Sequence, residues 1–171
     1  MTSYVQAPLA ETAEFHQVTA IASALLAHLN EPAAQSKLIE ANLPGVSSGR
    51  VQATFQEFAA DLGFANESKG LFSGYENRAV RPDYFLPLGE TGILMEVERG
   101  KTTINNMDFL DFWKCHLCEH ANHLFLMVPQ ELRQNDTMSP KREYAAVVKR
   151  MASFFVPRNY TNVRSLHVFG Y

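Results

Sequence analysis

Residues 81–101 read RPDYFLPLGETGILMEVERGK, and this stretch decides the fold that we expect. Two apolar-rich runs, residues 80–88 and 92–99, flank the segment Gly-Glu-Thr-Gly at residues 89–92. Apolar runs joined by a short glycine-containing turn are typical of a β-hairpin. The sequence therefore predicts two adjacent antiparallel strands here, with the rest of a sheet built beside them.

Three acidic residues lie on this hairpin. Glu96 and Glu98 are separated by one residue, so their side chains project from the same face of a strand. A symmetric turn that pairs Leu88 with Ile93 places Asp83 opposite Glu98 on that face, where direct partners are about 5 Å apart and diagonal partners about 7–8 Å apart. We therefore expect one acidic cluster, although a turn one residue longer or shorter would move Asp83 to the other face.

Carboxylates this close repel one another unless a positive charge lies between them. Oxygen ligands of this kind suit Mg²⁺ or Mn²⁺, which activate water and neutralise phosphate oxygens. The alternative is a solvated hairpin face, because most surface carboxylates serve only solvation. The residue Pro82 before Asp83, the basic residues Arg99 and Lys101, and a strong helix signal directly afterwards favour the metal site.

Pro82-Asp83, followed after twelve residues by Glu96-Val97-Glu98, resembles the signature of the PD-(D/E)xK nuclease superfamily. That family usually has lysine at the position of Glu98, and some of its restriction enzymes resemble this sequence in having glutamate there. The resemblance implies an α/β fold with a mixed β-sheet flanked by helices and a restriction-endonuclease-like core in the order α-β-β-β-α-β. It covers about residues 50–129.

The resemblance also implies roles for particular residues. Asp83 and Glu96 would hold Mg²⁺ or Mn²⁺, with Glu76 as an auxiliary ligand. Glu98 would orient or deprotonate the attacking water, and either Lys101 or Lys114 would replace the missing lysine of the motif. The side chains expected to contact the substrate are Arg81, Arg99, Asn105 and Lys114. Asn105 equally suits a helix cap, and Arg81, Arg99 and Lys101 equally suit charge balance for the acids.

Periodicity predicts the other elements. We expect helices at residues 11–29, 32–43, 48–62, 105–122 and 140–155, strands at 71–76, 123–128 and 163–169, and a loose arm at 1–10. In the helix at 105–122 the predicted buried stripe is Leu110, Trp113, Leu117 and Ala121. The chain thus predicts one domain with N-terminal helices at residues 1–65 and an α/β core at residues 66–171. A helix-turn-helix among the first helices is an open alternative.

Cysteine and histidine residues gather in residues 115–123. Cys115 and Cys118 share a helix face, whereas His116 and His120 lie on another face. Structural zinc needs four ligands in a tetrahedral array, and no second Cys/His pair stands at such spacing elsewhere. We therefore favour cysteines that pack as small apolar residues and histidines at the helix surface.

Composition sets bounds on function. The net charge of −3 provides no overall basic footprint, which counts against tight nonspecific DNA binding. No signal-peptide pattern and no apolar run of about 20 residues is seen, so we expect a cytoplasmic protein with reduced thiols and no membrane partner. The predicted function is a Mg²⁺-dependent DNA endonuclease, acting as a homodimer by analogy with the family. The alternatives are a nuclease-fold protein that binds nucleic acid or a partner without cutting, and a protein-interaction module.

Overall fold

Six strands form one mixed sheet in the computed structural model, which describes residues 1–66, 71–76, 81–100, 102–133, 137 and 139–171. The strands are β1 (Thr2–Val5), β2 (Ala65–Asn66), β3 (Tyr84–Leu88), β4 (Thr91–Val97), β5 (His123–Val128) and β6 (Ser165–Gly170). Their order across the sheet is β1-β6-β5-β4-β3-β2. The fold class is therefore mixed α/β, as the sequence predicts.

Five α-helices of the described residues flank this sheet. They are α1 (Ala13–Leu29), α2 (Pro32–Ala41), α3 (Ser48–Asp61), α4 (Met107–Leu117) and α5 (Glu143–Met151). A short 3-10 helix, Ala152–Phe155, extends α5. None of these helices is long and apolar enough to cross a membrane.

The centre of the sheet is apolar on both faces. Strand β4 pairs antiparallel with β3 and parallel with β5, and β5 pairs parallel with β6. Every residue of β4 and β5 is buried. Parallel strands covered by helices on both sides have this nearly continuous apolar composition. One core, including Phe55, lies under α1, α2 and α3, and the other, including Phe112, lies under α4 and α5.

Two predictions about strands are wrong. Residues 2–5 of the expected loose arm form β1, which pairs antiparallel with β6. Because β6 is so distant in sequence, no local pattern predicts this pairing. Residues 71–76 form turns rather than a strand. Phe72 and Tyr75 there are apolar because they pack against the core under α4. The strand that precedes the hairpin is instead β2.

The predicted buried stripe of α4 is also wrong. Leu110, Trp113 and Leu117 are 45%, 48% and 55% exposed. The face turned towards the sheet carries Asp108, Asp111, Phe112 and Cys115, which are all buried. The helix thus packs both apolar and charged residues inwards, and the predicted stripe faces outwards. Of the predicted stripe only Ala121 is buried, and it follows the end of the helix.

Candidate functional site

The hairpin register brings Asp83 and Glu96 together. Leu88 pairs with Thr91 around Gly89 and Glu90, with Gly89 at a φ of +61°, as the first central position of a type II′ turn requires. The predicted pairing of Leu88 with Ile93 is therefore wrong by two residues. A slip of two residues keeps every side chain on its own face, because side chains alternate with a period of two.

Asp83 consequently lies opposite Glu96 rather than opposite Glu98. The amide N–H of Asp83 donates to Glu96 Oε2 at 3.3 Å, and the amide N–H of Val97 donates to Asp83 Oδ2 at 2.8 Å. From helix α3, Gln52 Nε2 donates to Asp83 Oδ1 at 2.8 Å. The aspartate therefore ties the two strands and α3 together at the end of β4.

Helix α4 completes the cluster with one lysine and one further acid. Lys114 Nζ lies 3.1 Å from Glu96 Oε1 and 2.9 Å from Asp111 Oδ1. The exposed fractions of the three side chains are 11% for Lys114, 2% for Glu96 and 0% for Asp111. Ion pairs this well buried interact far more strongly than those on a surface.

Three of the acids in this cluster hold their protons more tightly than free carboxylic acids do. Burial, followed by the charge of Asp111, raises the pKa of Glu98 to about 8 and raises that of Glu96 well above its ordinary value. Burial also raises the pKa of Asp111 to about 6, and its carboxyl group contacts that of Glu98. Burial alone would lower the pKa of Lys114, but the charges of Glu96 and Asp111 outweigh it and raise that pKa. Four acids thus share one ammonium group.

The cluster presents carboxylate oxygens to a single ammonium group. Glu96 Oε1 and both Asp111 oxygens are buried and receive no hydrogen bond from the amides and hydroxyls of the described residues, and the ammonium group of Lys114 contacts one oxygen of each acid. Carboxylate oxygens are the ligands that Mg²⁺ and Mn²⁺ prefer. In the part of the chain that the structure describes, however, no three His, Cys, Asp or Glu side chains are grouped as a metal site. In the arrangement seen, the ammonium group of Lys114 occupies the centre between the acids.

Among the described residues, no hydrogen bond or ion pair joins the other predicted site residues to this centre. Glu76 is exposed. Arg81 and Asn105 are exposed, and Asn106 rather than Asn105 precedes the first turn of α4. Arg99 donates to the carbonyl oxygen of Leu43. Lys101 lies outside the described residues.

Asp111 and Gln52 were not predicted as residues of the site. Asp111 stands three residues before Lys114, a spacing that puts the two on one helix face. This spacing could have indicated a shared face for Asp111 and Lys114. The prediction of a buried Trp113, however, placed Asp111 on the side of the helix away from the sheet. Gln52 had no signal, because only tertiary packing brings α3 to the hairpin.

The cysteine and histidine residues of 115–123 do not form a zinc site in the structure. Cys115 and Cys118 are free thiols buried in the core under α4. His116 Nδ1 contacts Thr161 Oγ1 at 3.1 Å and accepts from the amide N–H of Asn162 at 3.1 Å. The interpretation as packed cysteines, which the sequence favours, therefore agrees with the structure.

A second polar network lies under α1, at the opposite end of β5. His123 Nδ1 contacts Ser165 Oγ at 2.7 Å, and His123 Nε2 contacts Glu14 Oε1 at 2.9 Å. The order of groups is that of a serine hydrolase triad. Ser165 is 0% exposed, however, and its hydroxyl group serves as a buried hydrogen-bond partner of His123. Arg164 also binds both Glu14 oxygens at 2.8 Å, so the network anchors α1 to the sheet.

Comparison with known proteins adds no relative. No protein-family model, no curated protein and no solved structure matches this chain. The function proposed below therefore rests on the geometry and chemistry of the cluster.

Proposed function

We propose that this protein is a metal-dependent nuclease that hydrolyses phosphodiester bonds in DNA at the cluster of Asp83, Glu96, Asp111 and Lys114. The observation that carries the proposal is the position of Lys114, whose ammonium group lies between two buried carboxylates at the end of the hairpin. The motif that the sequence resembles needs two acids and one lysine at one place, and α4 supplies the lysine that β4 lacks.

The order of elements supports the same proposal. From α3 onwards it is α3-β2-β3-β4-α4-β5, with a hairpin followed by a helical crossover to a parallel strand. This order agrees with a restriction-endonuclease-like core, with β2 as its first strand. Cleavage of both DNA strands at a symmetric site would require a two-fold homodimer.

Each residue has a role in this proposal. Asp83, Glu96 and Asp111 would hold Mg²⁺ or Mn²⁺, which supplies a Lewis acid and lowers the pKa of a coordinated water. Lys114 would turn from the acids to the scissile phosphate, where its charge opposes the negative charge that develops during attack. Glu98 would orient the water through its carboxyl group. Asp83, fixed by Gln52 and Val97, keeps the ligand set in register with the strand.

Glu96→Gln tests the activity most directly. It keeps the size of the side chain but removes one anionic ligand, so cleavage of supercoiled DNA in Mg²⁺ or Mn²⁺ should fall by orders of magnitude. The matched control is Glu90→Gln, which removes an exposed carboxylate from the turn of the same hairpin. Nicking that is unchanged in Glu96→Gln, or that persists in EDTA, would overturn the proposed site.

Metal binding is testable without activity. In Lys114→Met the acids lose their ammonium partner, and a divalent cation takes over its role. Because a ligand that binds only the folded state stabilises it, Mn²⁺ should raise the melting temperature of Lys114→Met more than that of the wild type. The double variant Glu96→Gln/Lys114→Met should lose most of this gain. Equal responses of all three proteins to Mn²⁺ would argue against a metal site.

A second candidate function is nucleic-acid or partner binding without cleavage. It is favoured by the closed arrangement of the cluster, in which both Asp83 oxygens accept hydrogen bonds and Lys114 already balances Glu96 and Asp111. In that case Lys114 is a permanent structural cation. Wild-type protein that binds DNA but neither nicks it nor responds to Mn²⁺ would establish this alternative.

A further inference from the structure

An aromatic pocket lies on the outer side of α4, against the loop that leads into β6. Its volume is about 230 Å³. Phe112 and Phe154 stack at a centroid distance of 4.1 Å and an interplanar angle of 20°. Trp113 and Tyr160 line the same pocket. Nothing in the proposed chemistry of the acidic cluster uses these rings.

The two outer rings are unusually accessible for their size. Trp113 is 48% exposed and Tyr160 is 93% exposed. Large aromatic side chains bury most of their surface in cores and interfaces, where they contribute much of the energy. Two such rings left in solvent at the rim of one concave site provide flat surfaces for stacking.

A polar group of fixed orientation accompanies the rings. His116 lines the pocket, and its ring meets that of Trp113 edge-on at 4.9 Å. Because His116 Nδ1 accepts the amide N–H of Asn162, the neutral ring carries its proton on Nε2. Nε2 is therefore a hydrogen-bond donor. Asn159 and Thr161 add further polar side chains to the lining.

The electrostatics of the pocket suit an anionic strand. None of the residues that line it is acidic, and the exposed Arg158 directly precedes Asn159 in the loop. A phosphate beside the pocket therefore meets no carboxylate from the lining. A neighbouring pocket shares His116, Asn159, Tyr160 and Thr161 and extends the polar surface to Gln6.

We propose that this pocket, which we call the α4 pocket, binds a single nucleobase of a single-stranded nucleic acid. Rings of Trp113 and Tyr160 stack on the base, and His116 Nε2 donates to an acceptor on its edge. Stacking of bases on aromatic side chains is the common basis of sequence-tolerant binding to single strands. The proposal extends the nuclease function, because Trp113 and Lys114 are consecutive on α4, whose diameter is about 10 Å. One helix therefore carries both sites, with the exposed Trp113 at the α4 pocket and the largely buried Lys114 at the acidic cluster.

The fluorescence of Trp113 reports directly on this pocket, since it is the chain's single tryptophan. Titration with a short oligothymidylate in EDTA should quench its emission, whereas an abasic oligonucleotide of equal length should not. EDTA prevents metal-dependent cleavage, so the measurement is independent of catalysis. Quenching by both strands to the same extent would show binding through phosphates alone and would overturn the proposal.

Variants of Tyr160 sharpen the test. Tyr160→Ala should weaken oligothymidylate binding by about 5-fold to 100-fold, which is the usual range for loss of one stacking ring. Tyr160→Phe should retain wild-type affinity, because it keeps the ring. Ile39→Ala, which truncates a side chain that is 68% exposed on α2, is the remote control. Equal affinities of Tyr160→Ala and wild type would overturn the proposal.

Self-association is the competing occupant of this surface. Emission of Trp113 that changes with protein concentration in the absence of nucleic acid, together with a dimer in sedimentation, would assign the α4 pocket to a second copy of the chain and overturn the proposal. Failure of the nuclease function is distinguishable from this. Base-dependent quenching without any cleavage would support the α4 pocket as a base-binding site but not the nuclease function. Cleavage without quenching would support only the proposed function of the acidic cluster.

Discussion

Lys114 Nζ lies 2.9 Å from Oδ1 of Asp111, a residue that is buried on the face of α4 turned towards the sheet. The same ammonium group reaches Glu96 on β4 at 3.1 Å. One lysine therefore connects α4 to the end of the hairpin inside the protein. The stability of the fold therefore depends on the charge of Lys114, whereas the same charge on the surface would be dispensable.

Lys114→Met should destabilise the metal-free protein substantially. The substitution leaves Glu96 and Asp111 buried without a positive partner, a change that costs about 3–5 kcal/mol in the free energy of unfolding. If Lys114 were exposed, the cost would stay within about 0.5 kcal/mol. Urea denaturation in EDTA measures it, with the exposed Lys149→Met on α5 as the control. Equal stabilities of the two variants would contradict the buried ion pair.

Trp113→Ala should cost far less stability than Phe112→Ala. Trp113 is 48% exposed, so its removal leaves no internal cavity and should change the free energy of unfolding by about 1 kcal/mol or less. Phe112 is 1% exposed in the core under α4, and its loss should cost about 3–5 kcal/mol. Thermal melts followed by far-ultraviolet circular dichroism compare the two neighbours. A larger loss in Trp113→Ala would mean that α4 is rotated.

Acid should destabilise the fold through His167. Burial, with a smaller contribution from His123, lowers the pKa of His167 from 6.5 to about 4. The unfolded chain binds this proton first as the pH falls, so the contribution of His167 to the free energy of unfolding decreases from pH 6.5 downwards, by about 3 kcal/mol near pH 4. The raised pKa values of Glu98 and Asp111 contribute in the opposite direction. His167→Gln should therefore gain stability relative to the wild type as the pH falls from 6.5 to 4, whereas the exposed His16→Gln should follow the wild-type profile. A profile that is the same in all three proteins would contradict a buried neutral His167.

Gly92→Ala should disturb the hairpin that carries the acids. A Cβ atom at Gly92 would lie 2.5 Å from Phe85 Cε2, 2.8 Å from the Leu86 carbonyl oxygen and 2.9 Å from the His120 carbonyl oxygen. Two of these neighbours are backbone atoms, so relief needs a shift of the strands, at a cost of about 1–3 kcal/mol.

Gly74→Ala is the matched control for this substitution. Its Cβ atom would meet no heavy atom within 4 Å, and its φ is not positive. Stability should therefore change by less than about 1 kcal/mol. If Gly92→Ala proved as mild as Gly74→Ala, the close packing of β3 against β4 would be wrong.

The elements that depend on interactions between residues close in sequence were predictable. The hairpin follows from glycine turn chemistry and alternation, and β5 from its continuous apolar run, so both are found within a few residues of the predicted bounds. The predicted hairpin register was wrong, but Asp83 and Glu96 still lie together because a slip of two residues keeps each side chain on the same face of the sheet. What failed depends on distant partners. Strand β1 exists only through its pairing with β6, and Asp111 of α4 faces inwards, where Lys114 joins it to Glu96 on β4.

The pairing of β1 with β6 joins the first and last strands of the described chain, with Thr2 opposite Val168. During synthesis, β5 is complete about 40 residues before β6 leaves the ribosome, and until then its outer edge has no strand partner. An unpaired apolar edge of this kind is a template for aggregation. Because the strands are synthesised in this order, the centre of the sheet is exposed in the folding intermediate. Strand β1 remains unpaired for the longest time. Crowded expression or a slow passage through residues 129–164 would lengthen that exposure, so yield of soluble protein should depend on the rate of elongation as well as on the stability of the finished fold.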